Sequence, residues 1–141
     1  RPTRSTLFPY TTLFRSSLFL PDEKSESIKN SFLNIEENDE VYIPLLWWYE
    51  MSNVLTTAIK RKRLKHNDVL NINKLLSSFN FITDLNYGSE YTEKLLELTQ
   101  IYNLSAYDAA YLELGIRKQG SIGTLDKELT AACIKAGLNT L

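Results

Sequence analysis

Cysteine and histidine are almost missing from this chain: Cys133 and His66 are the only ones in 141 residues. A lone cysteine excludes an internal disulfide framework and fits a reducing compartment, so a cytoplasmic protein is expected. A lone histidine excludes a histidine-rich metal cage, and any Ser-His-Asp triad would have to be built around it. His66 follows "KRKRLK" in what reads as an exposed turn, and is expected in solvent. No apolar run approaches the roughly 18 residues that a membrane-spanning helix needs, so no membrane partner is expected. There is no excess of basic residues either. The formal net charge is −1, which gives charge alone no case for nucleic-acid binding. Acids, finally, are absent from residues 1–21; Asp22 is the first.

What is present describes a folded domain. The length suits one unit with a real core. Hydrophobic residues make 43 % and charged residues 23 %, which excludes a disordered chain. Residues 1–16, "RPTRSTLFPYTTLFRS", do not read like the rest. They carry a near-repeat, Thr6-Leu7-Phe8 and Thr12-Leu13-Phe14, and lack the apolar centre and cleavage site of a signal peptide. They resemble a translated sequencing adapter joined to a truncated gene. The expectation is therefore a non-native segment over 1–16 and a single domain over 17–141 without its native first strand.

From Asp22 onward helical and strand patterns alternate. Asp22 to Glu37 reads as a helix with Ile28, Phe32 and Ile35 on one stripe. "EVYIP" is a short strand, and Pro44 suits the first turn of a helix running to about Lys62. Asn67 or Asp68 caps a helix carrying Val69, Ile72, Leu76 and Phe79. "NFIT" is a second strand. "SEYTEKLLELTQIY" is a helix with Tyr91, Leu95, Leu98 and Tyr102 on one face. Ser105 caps the next helix, with Gly120 past its end. "SIGTL" is a third strand, and a helix from Lys127 stops at Gly137. Short strands separated by helices predict an α/β fold, a parallel sheet covered on both faces, with "EVYI" and "SIGTL" as its inner strands.

In such sheets ligands gather at the carboxyl ends of the strands. Three acids fall there: Glu50 in the helix after "EVYIP", Asp108 in the first turn of its helix, and Asp126 directly before the last helix. Each also has an ordinary reading. Asp108 stands three residues after Ser105, the spacing of a capping box, and Asp126 is a good N-cap. Glu50 lies in "PLLWWYEMSNVLTTAI", where an acid is costly if buried unpaired, although a surface-facing position stays open. If the three converge, they offer the hard oxygen donors that magnesium favours, and carboxylate-held metals support phosphodiester cleavage.

"PLLWWYEMSNVL", "LSAYDAAYLELGIRKQG" and "GTLDKELTAACIKAGL" together resemble the later motifs of the PIN-domain ribonucleases, specifically the VapC-like toxins of type II toxin–antitoxin systems. The likeness runs over about residues 17–141, and "YDAAYLELG" followed by "GTLDKEL" is its specific pair. The resemblance implies a three-layer α/β/α PIN-like domain with a central parallel sheet. It implies a Mg2+- or Mn2+-dependent ribonuclease acting on RNA, a cognate antitoxin and a homodimer. Glu50, Asp108 and Asp126 match the family's catalytic and metal-binding acids; Asn53 and Thr124 match supporting polar positions, with Thr124 expected on the same strand face as Asp126. The family's first strand ends in an aspartate, and counting back from Phe19 puts that position near Thr11, where there is no acid. The resemblance thus implies an enzyme impaired as written, or a catalytically inactive PIN-like module that binds protein or RNA. A third reading is an unrelated α/β domain whose acids are only caps. Asp22, Glu23 and Glu128 stand as bystanders to the pocket.

Three further features have two readings each. The run "KRKRLKH", Lys60 to His66, either grips RNA phosphates or is a solvated helix exit. Trp47 and Trp48 either stack on bases or serve the core or a dimer surface, and neighbours on a helix point about 100° apart. Cys133 in "AACIKAG" reads as a small buried residue.

Overall fold

The computed structural model describes residue 35, residues 38–141, and residues 5–7 as backbone. The expected helix over Asp22–Glu37, the Thr11 position, Asp22 and Glu23 lie outside the described residues. Among the described residues four strands form one sheet: β1 Ser5–Leu7, β2 Glu40–Pro44, β3 Phe81–Asp84 and β4 Ser121–Ile122, in the order β3-β2-β1-β4. Every pairing is parallel, with Leu7 level with both Tyr42 and Ile122. The described helices are α1 Leu46–Lys60, α2 His66–Ser78, α3 Ser89–Tyr102, α4 Ala106–Lys118 and α5 Lys127–Lys135. The result is the expected three-layer α/β/α arrangement, and no described helix is long and apolar enough to cross a membrane.

Two details of the sheet differ from the sequence reading. "SIGTL" shrinks to Ser121–Ile122 and lies at the end of the strand order, not inside it. Its free edge is closed by the chain's own last residues: Ile122 N–H donates to Asn139 O at 2.9 Å, and Leu141 N–H donates to Ile122 O at 3.0 Å. An uncovered parallel edge would template foreign strands, so this closure matters. The inner place is taken by Ser5–Leu7, from the segment set apart by its composition. Pro44 ends β2 rather than opening α1, which starts at Leu46. Among the described residues β1 pairs up to Tyr42 and β3 lies alongside Pro44, where the missing N–H is tolerated.

The helices follow their apolar spacing. α1 buries Trp47, Met51, Val54, Leu55 and Ala58, the i, i+4, i+7 stripe of an amphipathic helix. α2 buries Ile72 and Leu76, and starts one residue before the expected caps. Asp68 still caps it from the third position, accepting the Lys65 backbone N–H at 2.7 Å. α3 spans the expected fourteen residues, with Leu98 buried and Tyr91, Leu95 and Tyr102 half-buried.

α4 is different in kind. Asp108 to Gly115 are all buried, so the middle of this helix is enclosed on every side. Only a sequence such as "DAAYLELG" permits that, because alanines and a glycine let neighbours approach closely. Gly115 is the tightest point: a Cβ there would stand 2.6 Å from Ile122 Cδ1 and 3.0 Å from Leu138 Cδ1. The helix ends at Lys118 with Gln119 in the left-handed region (φ 51), and Gly120 lies past its end as expected. Both tryptophans are structural. Trp47 is buried against Phe81 (centroids 5.3 Å), and Trp48 packs edge-on to Trp47 while its Nε1–H donates to Thr83 Oγ1 at 3.0 Å. Cys133 is fully buried, and burial pushes its thiol up to about 11.

Candidate active site

The carboxyl ends of β2 and β4 feed α1, which carries Glu50, and α5, which Asp126 caps. α4 begins there too: Ala106, Tyr107 and Ala110 line one cavity of about 330 Å³ with Pro44, Leu45 and Leu46.

Ser105 is the N-cap of α4 and is paired with Asp108 through its hydroxyl. Asp108 N–H donates to Ser105 Oγ at 3.1 Å, and Ser105 Oγ–H donates back to Asp108 Oδ2 at 2.7 Å. Asp126 caps α5, its Oδ1 accepting the Leu129 N–H at 2.8 Å. Thr124 supports it from below: Thr124 Oγ1 accepts the Asp126 N–H at 3.1 Å. Both residues lie beyond β4, in the turn into α5, so their relation comes from this turn and not from a shared strand face.

Capping therefore explains one oxygen of each acid. It does not explain Asp108 Oδ1, which is buried and has no hydrogen-bond partner. Among the described residues it is the one buried side-chain oxygen or nitrogen in that condition. Burial raises the Asp108 carboxyl above its ordinary value; the Ser105 hydroxyl opposes this, while the charges of Asp126 and Glu128 raise it further. A carboxylate stripped of water and facing two more acids is an unfavourable arrangement on its own. It becomes favourable when a cation is present.

Glu50 is half-buried in α1, and its Oε2 accepts the Tyr111 Oη–H at 2.9 Å. Tyr111 is one turn past Asp108 on α4 and is fully buried. Asn53 is exposed, about one turn beyond Glu50. The geometry thus brings Asp108, Asp126 and Glu128 within electrostatic reach of one another, and ties Glu50 to the Asp108 helix through Tyr111. Among the described residues no three Asp, Glu, His or Cys side chains stand together as a ready-made metal cage. The donor chemistry nevertheless fits a hard divalent ion: carboxylate oxygens, one of them buried and unpartnered, with no sulfur or imidazole.

Sequence reasoning missed Tyr111 and placed Glu128 only as a bystander to the pocket; its charge reaches Asp108. Tyr111 carried a signal, because a residue three after Asp108 shares its helix face. Glu128 stands in the first turn of α5, two residues after Asp126. Also unforeseen was an ion-pair network beside the cavity. The Arg117 guanidinium donates to both oxygens of Glu113 (2.8 and 2.9 Å) and both of Asp84 (3.0 and 2.7 Å). Glu113 is buried, and these carboxylates hold the guanidinium well above its already high ordinary value. Tyr91, which lines the cavity, has its phenol pushed up to about 12, first by burial and then by the charges of Glu113 and Asp84. The basic run at Lys60–His66 occupies the turn at the far end of α1, about two to three turns from Glu50.

A family model described as PIN domain matches residues 16–135. The chain is 25 % identical over 114 residues to Ribonuclease VapC3 of Pyrobaculum aerophilum, covering 81 % of this chain and 85 % of that protein. Its fold is similar to the crystal structure of PAE2754 from Pyrobaculum aerophilum, with a TM-score of 0.64, 20 % identity, and coverage of 97 % of this chain and 83 % of that one.

Proposed function

The chain belongs to the PIN-domain family, and from that membership we propose that it is a VapC-like ribonuclease toxin, cutting RNA with a divalent cation held by its clustered acids. The observation that carries the reading is Asp108 Oδ1, a buried carboxylate oxygen left without a hydrogen bond beside two further acids. Structural caps do not need that oxygen; a cation ligand does.

Asp108 and Asp126 would hold magnesium or manganese, with Glu50 as the third acid. When bound, such an ion would supply Lewis-acid charge for phosphodiester cleavage. The protein's own part is positioning. The Ser105 hydroxyl fixes one Asp108 oxygen and thereby directs the other. The Leu129 N–H and Thr124 hold Asp126 on the first turn of α5. Glu128 adds negative charge, which attracts the cation and repels RNA until the cation is bound. By analogy with the relative's name, the partners are an RNA substrate and a cognate antitoxin, and a homodimer is the family's usual assembly.

A second reading has its own support. β1 ends at Leu7 and residues 1–21 contain no acid, so the inner strand offers no carboxylate in the sequence that follows it. On the family pattern that lowers cation affinity and water alignment, giving an enzyme impaired as written or a PIN-like binding module. Purified protein, RNA and magnesium decide between them, comparing this chain with one whose residues 1–16 are replaced by a strand ending in Asp-Ala-Ser. The expected result is weak cleavage by the first and strong cleavage by the second, abolished by Asp126→Asn. Strong cleavage by the chain as written would refute the impairment, and equal inactivity of both would favour the binding module.

A further inference from the structure

We propose that Tyr111 is a positioning residue for the active site: its buried hydroxyl holds the Glu50 carboxylate at the Asp108 end of α4. The inference rests on the divalent-cation reading above and adds a residue to it.

Tyr111 and Glu50 are 61 positions apart, yet their side chains meet at 2.9 Å. Tyr111 is 0 % exposed, so its ring has no freedom to follow a moving partner. A tyrosine that deep in a core needs an acceptor for its O–H, and phenylalanine would fill the same space without one. Side chains on a helix lean toward its N-terminus, so the Tyr111 hydroxyl reaches back over the turn that carries Asp108. Glu50 comes from another helix, on a flexible side chain, and is half-buried. The Tyr111 hydroxyl gives its Oε2 a donor that is fixed in the core. With the hydroxyl in place, Oε2 is held and Oε1 is oriented. Ser105 does the same for Asp108, and the Leu129 N–H for Asp126. Each of the three acids thus has one oxygen held by a donor of the fold. Hydrogen bonds to the far oxygen of a ligating carboxylate are the usual means by which a protein aims it.

The test is Mn2+ binding, followed by electron paramagnetic resonance, on the full chain, Tyr111→Phe, Glu50→Ala and the double variant. Tyr111→Phe should bind Mn2+ roughly tenfold more weakly and melt within about 5 °C of the parent. In the Glu50→Ala background the same change should have no effect on Mn2+, because no carboxylate remains to be aimed. Unchanged affinity in Tyr111→Phe overturns the proposal. So does an equal loss in both backgrounds, which would mean that the hydroxyl acts on α4 packing and not through Glu50. If the parent binds no Mn2+, or binds it equally well as Asp108→Asn, the cation reading itself fails and this inference falls with it.

Discussion

Replacing Asp108 with asparagine should make this protein more stable while removing a metal ligand. Two effects oppose each other. The ionised Asp108 gains from its place in the first turn of α4, where the helix N-terminus favours negative charge by about 0.3–1 kcal/mol. Against this, its buried Oδ1 lacks a partner, which costs about 1–3 kcal/mol and more when charged. Asp126 and Glu128 add repulsion. The penalty is the larger, and Asp108→Asn should gain about 1 kcal/mol at pH 7 without divalent ions, because asparagine leaves a neutral group in the same space. For a chain of this size that is about 3 °C in melting temperature.

The pH dependence has a definite sign. The Asp108 carboxyl titrates above its ordinary value of 3.8 in the folded state. Below that ordinary value both states are protonated and the penalty is absent; as pH rises through the raised folded value, stability is lost. The advantage of asparagine should therefore be present at pH 7 and fade toward pH 3. Magnesium should close the gap from the other side, since a free ion at ten times its dissociation constant stabilises the native state by about 1.4 kcal/mol. Differential scanning calorimetry in EDTA and in magnesium, at several pH values, reads all of this. Melting of Asp108→Asn below the parent at pH 7 in EDTA would refute the reasoning, because it would mean that Oδ1 is satisfied in solution.

Two further outcomes follow from other parts of the fold. Arg117→Ala should cost about 2–3 kcal/mol by chemical denaturation, below the full buried-pair loss because the guanidinium is a third exposed; a loss under 0.5 kcal/mol would mean that water replaces the arginine at Glu113. Cys133, with its thiol pushed up to about 11 by burial, should resist a disulfide-exchange reagent at pH 8 and react at once in denaturant; fast reaction of the native protein would show that α5 opens.

Most of the described helices were legible in the amino-acid order, because their signals are local. Apolar spacing marked α1, α2 and α3, and the caps Ser105 and Asp126 did what their position in the sequence indicated. Asp108 and Asp126 were legible for the same reason, as residues at the starts of helices; Glu50 stood out as an acid in an apolar stretch. Pro44 was misjudged because proline suits a first helical turn and a strand end alike, and only the pairing of β2 with β3 decides between them. "SIGTL" was placed inside the sheet because a short apolar strand reads the same at the centre and at an edge covered by other chain.

The sequence by itself determined the alternation of helices and strands, the parallel α/β class and the identity of the candidate acids. These follow from periodicity, capping and the order of elements, with Glu50 marked by its apolar neighbours. Only the tertiary structure decided what meets across long separations: the Tyr111 hydroxyl on Glu50, Arg117 between Glu113 and Asp84, Ser5–Leu7 between β2 and β4, and an Asp108 oxygen enclosed without a partner. Local pattern cannot specify such encounters, because they depend on how helices cross the sheet and on what water is excluded when they do.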